Sequence, residues 1–225
     1  MIEFIPIVSL HADPAMPSGA DNAGGTHAYL RELLFQLPLR GRQCLVITRW
    51  SSLELPERQS ISDFARIERV AIGEVAPIDK KRLDGLHAIS LTAVRNAVTN
   101  CGQKICMIHS VYWNSGRVAM DLSRELGVPF VHTVISNGRR RLLAGAEPNA
   151  DHRLEIEALV FDAASRIISV SAAERDDLIS LYGIDRRKIV VVGRPVDAAF
   201  RRPAHDELGR PAAPFPPDRE RDRQS

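Results

Sequence analysis

The chain alternates continuous apolar runs with segments of helical periodicity, and this pattern constrains the fold more than any other feature. Unbroken apolar runs are typical of strands buried on both faces of a sheet, and parallel strands need a crossover segment between them. The sequence therefore predicts an α/β fold, a Rossmann-like parallel sheet with helices on both faces. The predicted strands are 4–10, 44–48, 67–72, 105–109, 130–135, 166–170 and 188–192, and the predicted helices are 26–40, 80–98, 117–126, 153–164 and 172–182.

A glycine-bearing loop joins the first strand to the first helix. It contains Asn22, Gly24 and Gly25, and the helix that follows carries leucines at helical spacing. Glycine lets the backbone approach a ligand closely, and the free amides at the start of a helix favour an anion such as phosphate. The alternative is that the glycines only form a tight turn.

Length and composition indicate one large domain over residues 1–200. The chain has 225 residues, of which 44% are hydrophobic and 26% are charged, as in ordinary globular proteins. From residue 201 onward, prolines are mixed with charges without helical or strand periodicity. We therefore expect a disordered tail over 201–225.

The composition argues against several functional classes. A net charge of +2 gives little support to a nucleic-acid role for the basic run Arg139–Arg141. The three cysteines are odd in number and lack metal-ligand spacing, so we expect reduced thiols and no metal site. No apolar run approaches the roughly 20 residues of a membrane span, and we expect a cytoplasmic protein.

Three polar loops follow predicted strands, at residues 11–25, 110–116 and 136–141. Ligands of parallel sheets bind at the carboxyl ends of the strands. We therefore expect these loops to line one crevice. A dinucleotide-dependent oxidoreductase is disfavoured, because Gly24 and Gly25 lack the spaced Gly-x-Gly-x-x-Gly pattern and their loop is too long.

With these loops placed, the sequence resembles the N-terminal domain of the family 4 glycosyltransferases, two-domain enzymes of the GT-B architecture. The likeness is greatest to the branch of the sucrose-phosphate synthases and the inositol-phosphate N-acetylglucosaminyltransferase of mycothiol synthesis. The segments that carry it are Leu10-His11, Asn22 to Gly25 with the helix after them, Ile108 to Trp113, Gly127 to Thr133, Arg153 with Glu157, and Ser169 to Phe200.

This resemblance implies a retaining transfer of a hexosyl group from a nucleotide-sugar to a small sugar or sugar-phosphate acceptor, with no further cofactor. It implies an acceptor and phosphate site at His11, Lys80, Tyr112, Ser136 and Arg153, and a donor-diphosphate loop at Asn22, Gly24 and Gly25. A lysine, an arginine, a phenol and a hydroxyl suit a phosphate or a sugar. The alternatives are a solvated Lys80, core packing of Tyr112, and a surface Arg153 paired with Glu157.

Two positions depart from the branch. Ile135 stands where its members usually carry a histidine close to the transferred sugar, so no catalytic residue is assigned. Isoleucine can neither donate nor accept a hydrogen bond with its side chain. His27 stands where the inositol-phosphate enzymes have asparagine, and it either contacts a different acceptor or, as we favour, faces solvent.

The family's donor-binding second domain is also missing from this sequence. We therefore expect an acceptor-binding half that is inactive by itself. It is a fragment of a longer protein, a split enzyme whose donor half is a separate chain, or a decayed remnant. The alternative is a non-catalytic pseudo-enzyme or binding subunit that binds a partner through the crevice face, with a homodimer as one form.

Overall fold

The computed structural model describes residues 3–16, 24–147 and 151–194. One eight-stranded sheet forms the centre of this part of the chain, in the order β3-β4-β2-β1-β5-β6-β7-β8. All neighbouring strands run parallel except β3, which pairs antiparallel with β4. The strands are β1 (Glu3–Val8), β2 (Arg42–Arg49), β3 (Arg58–Ser62), β4 (Ala65–Val70), β5 (Ile108–Val111), β6 (Phe130–Val134), β7 (Arg166–Ser169) and β8 (Ile189–Val191).

Helices cover both faces of this sheet, as the sequence predicts. They are α1 (Gly25–Leu39), α2 (His87–Thr99), α3 (Trp113–Leu126), α4 (Gly138–Leu143), α5 (Asp151–Ala163) and α6 (Ala172–Tyr182), with 3-10 turns at Lys80–Leu86 and Arg186–Lys188. On one face, α1 packs Leu30 and Leu34 in a cluster with Ile5 and Ile7 of β1. On the other face, α2, α3, α5 and α6 pack in a cluster with the alternate residues of β1. Each fully buried aliphatic side chain contributes about 1.5–3 kcal/mol to the stability of the fold, relative to leaving it exposed.

The register places the carboxyl ends of three central strands side by side. Ile7 of β1 lies opposite His109 of β5, and Val111 of β5 lies opposite Thr133 of β6. The segments that follow β1, β5 and β6 therefore leave the sheet at one edge. This is the edge at which open parallel sheets bind ligands.

A layer of buried polar side chains lies within the sheet below this edge. The Thr133 Oγ1 atom is 2.7 Å from His109 Nε2 and 3.0 Å from the Tyr29 hydroxyl, which ties α1 to β5 and β6. Ser110 Oγ is 2.9 Å from His132 Nδ1. Burial lowers the pKa of His109 to about 4, and burial together with the neighbouring His109 lowers the pKa of His132 to about 3. Both imidazoles are therefore neutral at pH 7.

Three local predictions are wrong. Residues 50–63, where no strand is predicted, contain strand β3, whose side chains alternate between exposed and half-buried. The predicted loop of residues 110–116 ends early, because α3 begins at Trp113 directly after Tyr112, which has a φ of 76°. The predicted loop of residues 136–141 is mostly helical, because α4 begins at Gly138 and Asn137 caps it through a hydrogen bond from the Arg140 amide.

No helix within residues 3–16, 24–147 and 151–194 is both long and apolar enough to cross a membrane. The predicted disordered tail at 201–225 lies outside the described residues.

Candidate functional site

Three of the predicted site residues form one stack at the carboxyl edge of the sheet. His11 follows β1, and its ring centroid lies 4.4 Å from that of Tyr112, which follows β5. The guanidinium carbon of Arg153, on α5, lies 5.4 Å from the centre of the Tyr112 ring. The positive φ of Tyr112 is unusual for a residue with a side chain and costs about 1–3 kcal/mol. Burial raises the pKa of Tyr112, so its phenol keeps its proton.

Arg153 is buried, and its guanidinium is held from three sides. Nε donates to Glu157 Oε1 and Nη1 donates to Glu147 Oε2, both at 2.8 Å. Nη2 donates to the Ser136 carbonyl at 2.8 Å, with the Ser136 hydroxyl at 3.4 Å. The pairing with Glu157 is therefore present, but inside the protein and not at the surface. Arg153 and Ser136 are brought together.

Glu157 fixes the loop that carries Ser136. Its carboxylate accepts a hydrogen bond from the Gly138 amide at 3.0 Å and another from the Tyr182 hydroxyl. A Cβ atom on Gly138 would come within 2.7 Å of Glu157 Oε2, so only glycine fits there without movement. Burial raises the pKa of Glu157, against the opposing effect of the Arg153 charge. Sequence reasoning noted Glu157 only as a helical neighbour of Arg153.

His27 forms hydrogen bonds with Gly24 at the start of α1. The Gly24 amide donates to His27 Nδ1 at 3.0 Å, and the His27 amide donates to the Gly24 carbonyl at 3.0 Å. His27 is buried, so the expectation that it faces solvent is wrong; its side chain folds back onto the start of its own helix. Burial and then the charge of Arg31 lower the pKa of His27. Asn22 lies outside the described residues.

Arg194 is a site residue that the sequence analysis did not identify. Its Nη2 donates to the Ile135 carbonyl at 3.0 Å, and its Nη1 would lie 2.7 Å from a Cβ atom placed on Gly25. The guanidinium therefore fills the space that Gly25 leaves open and connects the start of α1 to the end of β6. Its position just after the last strand, at the same sheet edge as the other loops, was the available signal.

Two further predicted positions, Ile135 and Lys80, add little to the description of the site. The Ile135 side chain is half-buried and packs against the apolar clusters on both faces of the sheet. Lys80 begins a 3-10 helix, and its side chain lies outside the described part of the chain. Within the described residues, no group of three or more His, Cys, Asp or Glu side chains is arranged to hold a metal ion.

Comparison with known proteins decides the family. The family model for Glycosyltransferase Family 4 matches residues 23–200, which is most of the chain. The chain belongs to glycosyltransferase family 4. The predicted family resemblance is thereby confirmed.

The relatives of this family 4 chain include two enzymes named D-inositol 3-phosphate glycosyltransferase. The protein from Kineococcus radiotolerans is 33% identical over 207 residues, which cover 90% of this chain and 48% of the relative. The protein from Frankia alni is 34% identical over 200 residues, covering 86% and 49%. The chain thus spans about half the length of the curated relatives it matches.

Among solved structures, sucrose-phosphate synthase from Thermosynechococcus elongatus superposes with a TM-score of 0.77 at 23% identity, covering 85% of this chain and 48% of that one. The catalytic domain of starch synthase IV from Arabidopsis thaliana gives a TM-score of 0.59 at 10% identity, covering 92% and 54%. These likenesses show that the family 4 chain has the α/β fold of such glycosyltransferases. The predicted fold class is confirmed.

Proposed function

We propose that this chain is the acceptor-binding side of a retaining glycosyltransferase. The reaction would transfer a hexosyl group from a nucleoside diphosphate sugar to a hydroxyl of a small polar or phosphorylated acceptor. One observation carries the proposal: His11, Tyr112, Ser136 and Arg153 form a connected group at the carboxyl edge of a parallel sheet, next to the start of α1. Family membership and the printed names of the relatives support it.

The chemistry of these groups suits the acceptor side. Arg153 would supply charge-assisted hydrogen bonds to a phosphate, and the Ser136 hydroxyl would donate to or accept from a sugar hydroxyl. The phenol of Tyr112 keeps its proton and is able to donate. The His11 and Tyr112 rings would form an apolar wall for the carbon face of a sugar or cyclitol ring.

The start of α1 suits the donor diphosphate. The first turn of a helix carries partial positive charge. In α1 the Gly24 and His27 amides already donate to His27 Nδ1 and to the Gly24 carbonyl, so an anion would bind to the other amides of this turn. Arg194 places a guanidinium beside Gly25 at this point. We assign further contacts to the leaving nucleoside diphosphate to the half of the relatives that this chain does not match.

Binding and transfer assays test the proposal together. Calorimetric titration with D-inositol 3-phosphate and glucose 6-phosphate should give saturable binding to at least one of them. Ser136→Ala should weaken that binding several-fold, because one hydrogen bond contributes about 0.5–1.5 kcal/mol. With a donor-domain protein added, labelled sugar should move from a nucleotide-sugar to the bound acceptor. Absence of both binding and transfer would overturn the proposal.

A second candidate function is a binding subunit without catalysis. The half-buried Ile135 side chain favours it, because this position lies beside the candidate site and offers no hydrogen-bonding group. A binding subunit would bind the acceptor but support no transfer under any donor condition. It would also form a stable complex with itself or a partner chain in analytical ultracentrifugation.

A further inference from the structure

Two arginines converge on a single carboxylate oxygen beside the candidate acceptor site. Glu147 Oε2 accepts from Arg153 Nη1 at 2.8 Å and from Arg141 Nε at 2.9 Å. The Glu147 side chain is 15% exposed, while that of Arg141 is 46% exposed. Converging guanidinium groups are a common arrangement for binding phosphate or carboxylate groups. Here one of the protein's own carboxylates occupies that position.

Glu147 differs from the other carboxylate on Arg153. Glu157 is buried and is also held by the Gly138 amide and the Tyr182 hydroxyl. Among the described residues, Glu147 is bound only by the two arginines. Although its burial acts in the opposite direction, hydrogen bonding to Arg141 and the charge of Arg153 hold the pKa of Glu147 below its ordinary value. Glu147 is therefore ionised at neutral pH. Of the two carboxylates on Arg153, it is the one that a ligand anion displaces more easily.

We propose that Glu147 determines acceptor specificity by occupying the anion position between Arg141 and Arg153, which an anionic group of the acceptor takes by displacing it. This inference rests on the proposed acceptor-binding function. A singly charged group such as a carboxylate gains little binding free energy from displacing Glu147, because it only replaces one carboxylate with another. A phosphate monoester carries close to two charges at neutral pH and three acceptor oxygens, so it competes better. Uncharged acceptors would bind without contacting either arginine.

The test compares phosphate binding by Glu147→Gln with that by a matched charge-removing control. Glu155→Gln removes the same charge from an exposed position on α5. Inorganic phosphate and D-inositol 3-phosphate are titrated into the full chain and followed by calorimetry, with circular dichroism to check folding. Glu147→Gln should bind inorganic phosphate about tenfold more tightly than wild type, since a competing charge at contact distance is removed in a partly solvated position.

Further variants and probes separate the outcomes. Adding Arg141→Gln to Glu147→Gln should abolish most of the gain, and Glu155→Gln should bind as wild type does. The inference is overturned if folded Glu147→Gln binds inorganic phosphate no more tightly than wild type, or if Glu155→Gln shows the same gain. If the inorganic phosphate result holds but D-inositol 3-phosphate and glucose 6-phosphate bind no better than phosphate alone, the anion position stands and the proposed acceptor class fails.

Discussion

Acidification should destabilise this protein through His109 and His132, which are buried as neutral imidazoles. Their pKa values in the folded protein are about 4 and about 3, against about 6.5 for an unfolded chain. The folded state therefore binds fewer protons than the unfolded state. The stabilisation is fully present above pH 6.5, and it is lost progressively as the pH falls towards 4.

The size of the loss follows from these values. Each imidazole contributes a loss of about 1.4 kcal/mol per pH unit below 6.5, so at pH 5 the pair contributes about 4 kcal/mol. Glu157 and Glu174 oppose this trend, because burial raises the pKa of each and the folded state then gains protons first. A net loss of about 2–4 kcal/mol between pH 7.5 and 5 is expected, a large part of the stability of an ordinary domain.

Urea denaturation followed by tryptophan fluorescence at several pH values measures this loss. His109→Gln removes one of the two titrating groups and should reduce the difference between pH 7.5 and pH 5 by roughly half. Thr133→Val is the matched control: it deletes the hydrogen-bond partner that His109 shares with Tyr29 but keeps both imidazoles. It should lower stability by about 1–3 kcal/mol at every pH without changing the slope. A wild-type stability that is flat over this range, or a slope unchanged in His109→Gln, would refute the reasoning.

Three further substitutions, one of them a control, test the packing around the site by urea denaturation at pH 7.5. Gly138→Ala places a Cβ atom within 2.7 Å of Glu157 Oε2 and should lower the free energy of unfolding by about 1–3 kcal/mol. Gly24→Ala is the control, because no atom lies within 4 Å of its Cβ atom, and it should lower this free energy by less than about 1 kcal/mol. Equal losses in the two variants would contradict the close contact at Gly138. Asp13→Asn leaves the buried Arg69 without the carboxylate that it contacts at 2.5 Å, so a loss of about 3–5 kcal/mol is expected, and a loss below about 1 kcal/mol would show that this pair does not hold the loop after β1.

Most of the sheet could be predicted because its central strands are buried on both faces. Such strands read as apolar runs, and seven of the eight strands were predicted from the sequence, although β4 also carries three charged residues. β3 lies at the edge of the sheet and carries Arg58, Gln59 and serines, so its strand character depends on pairing with β4. The start of α3 was missed for a related reason. Tyr112 provides no side-chain cap, and no acidic residue occupies the first turn.

The candidate site was less predictable, because its contacts join residues far apart in sequence. The Arg153–Glu157 pair follows from helical spacing. No periodicity connects Arg194, which follows β8, with Gly25 at the start of α1, and none shows that Arg141 and Arg153 share one carboxylate. His27 was misjudged because its burial depends on the course of the glycine loop and not on its helical position.

Charge is distributed unevenly across the candidate site, and this favours one orientation of the proposed substrates. On the acceptor side, Glu147 and Glu157 both pair with the Arg153 guanidinium. At the start of α1, Arg194 lies beside a helix terminus of partial positive charge. Among the described residues it forms no direct ion pair, although its charge acts on the Glu174 carboxylate. A nucleoside diphosphate brings more negative charge than a single phosphate monoester, so it gains more from the end where no carboxylate pairs directly with the arginine. We therefore propose that the donor diphosphate binds at Gly25 and Arg194 and that the acceptor binds at Ser136 and Arg153, where binding an anion would require Glu147 to leave.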